Sequence, residues 1–123
     1  MIDYAEAQAA CETYIRSLQA SDVETLLALF DDNASIEDPV GTALREGKSA
    51  LREFYSVACE GVLSAALSGA PRLAGDEGAF PFPVTAGTVG EELTINIIDV
   101  FKFNEAGKVV SMRAFWGPNN IGS

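Results

Sequence analysis

The sequence predicts an α+β domain, and three observations lead there. Apolar residues recur at helical spacing through the first half of the chain. In the second half they alternate with period two. The two patterns are not interleaved. Helices first and consecutive strands after argue for helices packed on one side of a curved, mainly antiparallel sheet.

The first helix carries Ala7, Ala10, Cys11, Tyr14 and Leu18 on one face and runs to about Ala20. Ser21-Asp22-Val23-Glu24 reads as a capping box, with the Ser21 hydroxyl accepting from the Glu24 amide and Glu24 reaching back. It opens a second helix with Val23, Leu26, Leu27 and Phe30 on one face. A third helix begins near Lys48 and buries Leu51, Phe54, Tyr55 and Ala58. Residues 62–74 alternate weakly. In 79–88, Phe80, Phe82, Val84 and Ala86 share a face, and the opposite face begins Pro81, Pro83. Two prolines at i, i+2 remove amide donors from one side of a strand, which predicts an unpaired edge there. The next strand puts Leu93, Ile95, Ile97, Asp99, Phe101 and Phe103 on one face. Asn104-Glu105-Ala106-Gly107 is a turn into a last strand, 108–117, with Val110, Met112, Ala114 and Trp116 on one face.

The chain has no repeat or linker, so residues 1–123 read as one domain. Such a length buries about two-thirds of the unfolded surface. Its net charge is −10 with only 8 lysines and arginines, which argues against nucleic acid and against anionic membrane surfaces as partners. No apolar run approaches the ~20 residues of a membrane-spanning helix. Met1-Ile2-Asp3-Tyr4-Ala5-Glu6 lacks the basic start of a signal peptide, so a cytoplasmic location is expected. Cys11 and Cys59 then read as reduced core residues. Histidine is absent, which excludes Ser-His and Cys-His nucleophiles and all His-based metal sites. Proton transfer must use Asp, Glu, Tyr, Cys or Lys. No glycine-rich phosphate loop is present, and no metal or organic cofactor is expected.

Asp99 is the most informative residue, because it is an acid in the middle of an apolar face. Buried there, it must be paired or protonated. A protonated carboxyl is a hydrogen-bond donor able to stabilise an oxyanion. The plain alternative is a frayed strand end that turns Asp99 to water. Asp38 is the second acid, with the parity of Ile36 and followed by Pro39-Val40-Gly41. The proline biases it to extended backbone, which suits a carboxylate at a pocket mouth or, equally, a turn-forming aspartate. Glu37 has the opposite parity and reads as a solvated neighbour. Tyr14 lies on the apolar helix face, and its hydroxyl needs a partner when buried. Tyr55 is a candidate for that partner.

Together these residues resemble a known family. Tyr14, Ala28-Leu29-Phe30, Ile36-Glu37-Asp38-Pro39-Val40-Gly41, Arg52-Glu53-Phe54-Tyr55 and Ile98-Asp99 all match. So do Phe101-Lys102-Phe103-Asn104 and Gly107-Lys108-Val109-Val110-Ser111-Met112-Arg113-Ala114. The chain is similar over essentially its whole length to the bacterial steroid Δ5-3-ketoisomerases, most weakly between Glu60 and Gly75. The resemblance implies a cone of helices closed by a curved sheet, the fold of nuclear transport factor 2. It also implies a homodimer joined through the sheet and a steroid as small-molecule substrate. By the same resemblance Asp38 is the general base, and Tyr14 and Asp99 are the oxyanion donors. Phe54, Phe82, Val84, Met112 and Trp116 suit a flat apolar substrate, with Tyr55 in support. Phe30 departs from members that carry a tyrosine there, and Pro81 and Pro83 are also outside the pattern.

Two rival readings stay open. One is another enzyme of the same fold, such as a cyclase, dehydratase or epoxide hydrolase. Missing histidine argues against His-dependent chemistry, and Arg113 has the wrong parity to sit beside a pocket acid. The other is a non-catalytic module for an apolar ligand or a partner protein, which would not need Asp38, Tyr14 and Asp99 together.

Overall fold

A computed structural model describes residues 1–122. The long N-terminal helix α1 (Tyr4–Ala20) is capped by Asp3, which accepts from the Glu6 amide at 2.8 Å. After it come a short helix α2 (Val23–Leu27), strand β1 (Phe30–Glu37), strand β2 (Arg45–Glu46) and helix α3 (Lys48–Glu60). Strands β3 (Val62–Ala65), β4 (Arg72–Ala74), β5 (Glu77–Ala86), β6 (Leu93–Phe103) and β7 (Val109–Phe115) follow. A 3₁₀ turn (Pro118–Asn120) and β8 (Ile121–Gly122) close the described chain. The sheet runs β2-β1-β7-β6-β5-β3, with β4 also on β5 and β8 also on β6. Three helices against a curved, mixed sheet match the predicted α+β class. The β1–β7 pair is parallel, and every other pair is antiparallel.

Several local expectations are corrected. Asp22, not Ser21, caps α2, accepting from the Thr25 amide at 3.2 Å. Ser21 instead ends α1 in the left-handed conformation (φ 55°), and its hydroxyl donates to the Cys59 carbonyl. Phe30 begins β1 rather than ending α2. Asp31-Asp32-Asn33, residues poor in strand propensity, and a register shift between Phe30 and Ser35 hide that strand from a periodicity argument. A second bulge, opposite Lys102–Phe103, makes Val109 rather than Val110 the fully buried start of β7.

The two prolines mark a short stretch of β5 that has no strand on one side, as expected. β5 pairs with β6 along its whole length, including Pro81 opposite Ile98 and Pro83 opposite Asn96. On its other side β4 covers 77–79 and β3 covers 84–86. The prolines sit in the gap between those two short strands, where the Pro81 carbonyl accepts from the Ser68 amide. No ladder amide is needed at that point, so proline is tolerated.

The core is aromatic where α1 meets the sheet. Tyr14 packs edge-on to Phe101 at 5.1 Å, and Phe80 packs on Phe101 at 4.9 Å. Cys11 and Cys59 are buried free thiols, and burial helped by Asp99 pushes the Cys11 thiol up to about 12. The described residues include no helix long and apolar enough to cross a membrane.

Candidate active site

A cavity of about 230 Å³ opens between α1, α3 and the concave face of the sheet. Its walls hold Tyr14 from α1, Phe54 and Tyr55 from α3, Phe82 and Val84 from β5, Asp99 from β6, and Asp38 and Trp116 from two loops. Eight of the nine candidate residues named from the sequence therefore share one cavity. Met112 is the exception. It is fully buried abreast of Phe101 and Ile36, deeper than the cavity floor, and serves as core.

Asp99 is 2% exposed in the middle of β6, opposite Phe80 and Ala114, two positions with nothing polar in their side chains. Its Oδ1 has no hydrogen-bond partner. Burial, reinforced by the charge of Asp38, holds its carboxyl well above the usual carboxylate range, while the Tyr14 hydroxyl pulls the other way. Burial thus favours the protonated form of the group, which has a proton to donate. Leaving a buried polar atom unpaired costs about 1–3 kcal/mol, a cost usually offset by a ligand or by catalysis.

Tyr14 is equally buried. Its hydroxyl lies 2.9 Å from the Tyr55 hydroxyl. Either can donate, and a donating Tyr55 leaves the Tyr14 proton for the cavity. Burial first, then neighbouring Tyr55 and Asp99, keeps Tyr14 protonated far into the alkaline range. Phe30 packs its ring 5.9 Å from Tyr55 but has no hydroxyl, so no third tyrosine extends the pair.

Asp38 has a different setting. It follows β1 at a cis peptide bond to Pro39. Its Oδ1 accepts from the Trp116 indole N–H at 2.8 Å. Burial raises its pKa, and the Trp116 hydrogen bond and the Arg45 charge oppose that rise. The outcome is a carboxyl of raised basicity held in place by an indole donor, as suits a general base.

Two residues escaped sequence reasoning. The charge of Arg45 is felt at Asp38 because β2 pairs with β1, placing Arg45 opposite Ile36. Glu37 is not merely solvated. Its Oε2 accepts from the Gly41 amide at 3.0 Å, and its Oε1 lies 3.6 Å from the Arg113 Nε. The Val40 amide also donates to the Ala114 carbonyl at 2.8 Å. These contacts clamp the 38–41 turn to β7. Arg113 faces outward, as its parity predicted, and lies 5.1 Å over Phe115.

A family model described as a SnoaL-like domain matches residues 11–112. The chain belongs to this SnoaL-like family. Among proteins similar to this SnoaL-like chain is the Steroid Delta-isomerase of Nocardioides simplex. It is 34% identical over 117 residues, 95% of this chain and 94% of that protein. That relative bears out the resemblance stated from the sequence. Among solved structures, the epoxide hydrolase/cyclase-like enzyme SalBIII, described for pyran ring formation in the polyether salinomycin, aligns with a TM-score of 0.89. It is 30% identical and covers 99% of this chain and 98% of its own. The SnoaL-like chain thus has the nuclear transport factor 2-like fold and belongs among the enzymes of that superfamily.

Proposed function

We propose that the protein is a steroid Δ-isomerase, converting a Δ5-3-ketosteroid to its conjugated Δ4 isomer. One observation carries the reading: a single apolar cavity holds two carboxyls in unlike settings, Asp38 accepting from an indole N–H and Asp99 buried with an unpaired oxygen. Asp38 removes the proton from C4, next to the ketone. Negative charge moves onto the ketone oxygen as a dienolate. Tyr14 and protonated Asp99 donate to that oxygen, in a dry site where such donors act most strongly. Protonated Asp38 returns the proton at C6, so the transfer is internal and balanced. Phe54, Phe82, Val84 and Trp116 line a slot for the flat rings, and Tyr55 supports Tyr14. The 34% identity to a steroid Δ-isomerase supports the assignment.

The test is absorbance of the conjugated enone formed from 5-androstene-3,17-dione by wild type and Asp38→Asn. The variant is expected to lose about 10²–10⁴-fold in turnover, with steroid affinity largely kept. Equal turnover in both would remove Asp38 as the base. Inactivity of folded wild type would favour epoxide opening, the reading supported by the similarity to SalBIII.

We also infer a homodimer through the convex face of the sheet. Ile98 and Phe115 are cross-strand partners there and are 48% and 41% exposed. Sedimentation of wild type and Ile98→Glu decides it, with dimer expected for the first and monomer for the second.

A further inference from the structure

A second cleft, of about 440 Å³, adjoins the cavity, and Phe54 and Ala58 line both spaces. Arg45, Glu53 and Val57 complete it. Its surroundings are more apolar than a solvated surface needs, since Val57 is 70% exposed and nearby Leu44 is 54% exposed. The Arg45 guanidinium lies 4.8 Å from the centre of the Phe54 ring. Cross-strand pairing with Ile36 puts it on the strand face that leads to Asp38. Among the described residues Arg45 forms no ion pair. The carboxylates in contact with cations hold Arg52, Arg113 and the N-terminal amine instead. Its place beside the cavity, rather than the lack of a pair, leaves this exposed cation available to an anion from outside.

The sizes point the same way. The catalytic cavity, at about 230 Å³, is below the ~300–1,000 Å³ usual for sites that engulf a drug-sized ligand. A four-ring substrate with its ketone at Tyr14 and Asp99 must project from it. We propose that the second cleft receives the end of the substrate remote from the ketone, and that Arg45 selects a carboxylate there. The preferred substrate class is then a 3-ketosteroid with an acidic side chain. Leu44 and Val57 would carry the aliphatic part, and the guanidinium fork would hold the carboxylate by paired hydrogen bonds. Glu53 lines the same cleft, and its charge would disfavour the carboxylate away from Arg45. This inference rests on the isomerase reading.

The experiment compares kcat/KM for a Δ5-3-ketosteroid with a side-chain carboxylate and for its methyl ester, at low salt. Wild type, Arg45→Gln and Arg45→Lys are assayed, with 5-androstene-3,17-dione as neutral reference. Wild type is expected to favour the acid about fivefold, through KM, as a partly exposed ion pair allows. The preference should vanish in Arg45→Gln, survive in part in Arg45→Lys, and fade as salt rises. The ratio of acid to ester cancels any effect that Arg45 exerts through Asp38. Equal use of acid and ester by wild type overturns the proposal, and so does an equal slowing of both by Arg45→Gln. A folded wild type inactive on the neutral reference refutes the isomerase reading instead. Calorimetric binding of the acid and ester to wild type and Arg45→Gln then decides the cleft by itself.

Discussion

Asp38 stands at the end of a strand, on a turn, with an indole donor at 2.8 Å and an arginine across the neighbouring strand. Asp99 stands in mid-strand, 2% exposed, with one oxygen unpaired and only neutral side chains opposite it. The residue type is the same and the cavity is shared, yet the surroundings act on the two carboxyls differently. Burial raises both, but at Asp38 a hydrogen bond and a cation oppose the rise, while at Asp99 a nearby anion adds to it. The charge on Asp38 is also among the causes that raise the Asp99 pKa. On the proposed reading, environment is what separates the acid from the base.

The largest way to break that contrast, after Asp38→Asn, is to delete the neutral acid. Asp99→Ala is expected to lower kcat by about 10²–10³-fold and to change KM much less, since the donor acts on charge that develops late. A small loss would mean that water or Tyr14 replaces it. Stability gives a second test. A carboxyl whose folded pKa is raised keeps its proton while the unfolded chain loses one above the ordinary value of 3.8. The folded state then binds more protons, so stability falls as pH rises through that window. Asp99→Asn removes the effect. Its denaturation free energy relative to wild type should grow by about 1.4 kcal/mol per pH unit above pH 4, until Asp99 itself ionises. Parallel pH curves for the two proteins would show Asp99 to be ionised when folded.

Smaller effects sharpen the other side. Trp116→Phe removes the hydrogen bond that lowers the Asp38 pKa, so the acid limb of the kcat/KM profile should move to higher pH. An unmoved limb would detach it from Asp38. Glu37→Ala loosens the turn that carries the base and is expected to lower kcat by a few-fold. Glu37→Gln keeps an acceptor for the Gly41 amide and should restore most of it. Equal behaviour of the two variants would assign the role to the ion pair with Arg113 instead.

What the sequence makes legible follows from regularity. β6 alternates without a bulge from Leu93 to Phe103, so the inward direction of Asp99 can be read from parity alone. β1 is interrupted by a register shift and three polar residues, and its existence depends on the parallel partner β7. No local pattern encodes a strand whose partner lies some 75 residues away. The same holds for Arg45 and Glu37, whose importance comes from which strand each is laid against. Met112 has the parity of a pocket residue, but parity gives a face and not a depth.

Trp116 is the chain's single tryptophan, and its partner Asp38 is 78 residues earlier. The base turn therefore reaches its final place only when the last long strand closes beside β1, one of the most non-local events the topology demands. The indole's emission is consequently a built-in clock for folding. It should report completion of the base side of the pocket on a slower phase than the one in which circular dichroism records the local helices.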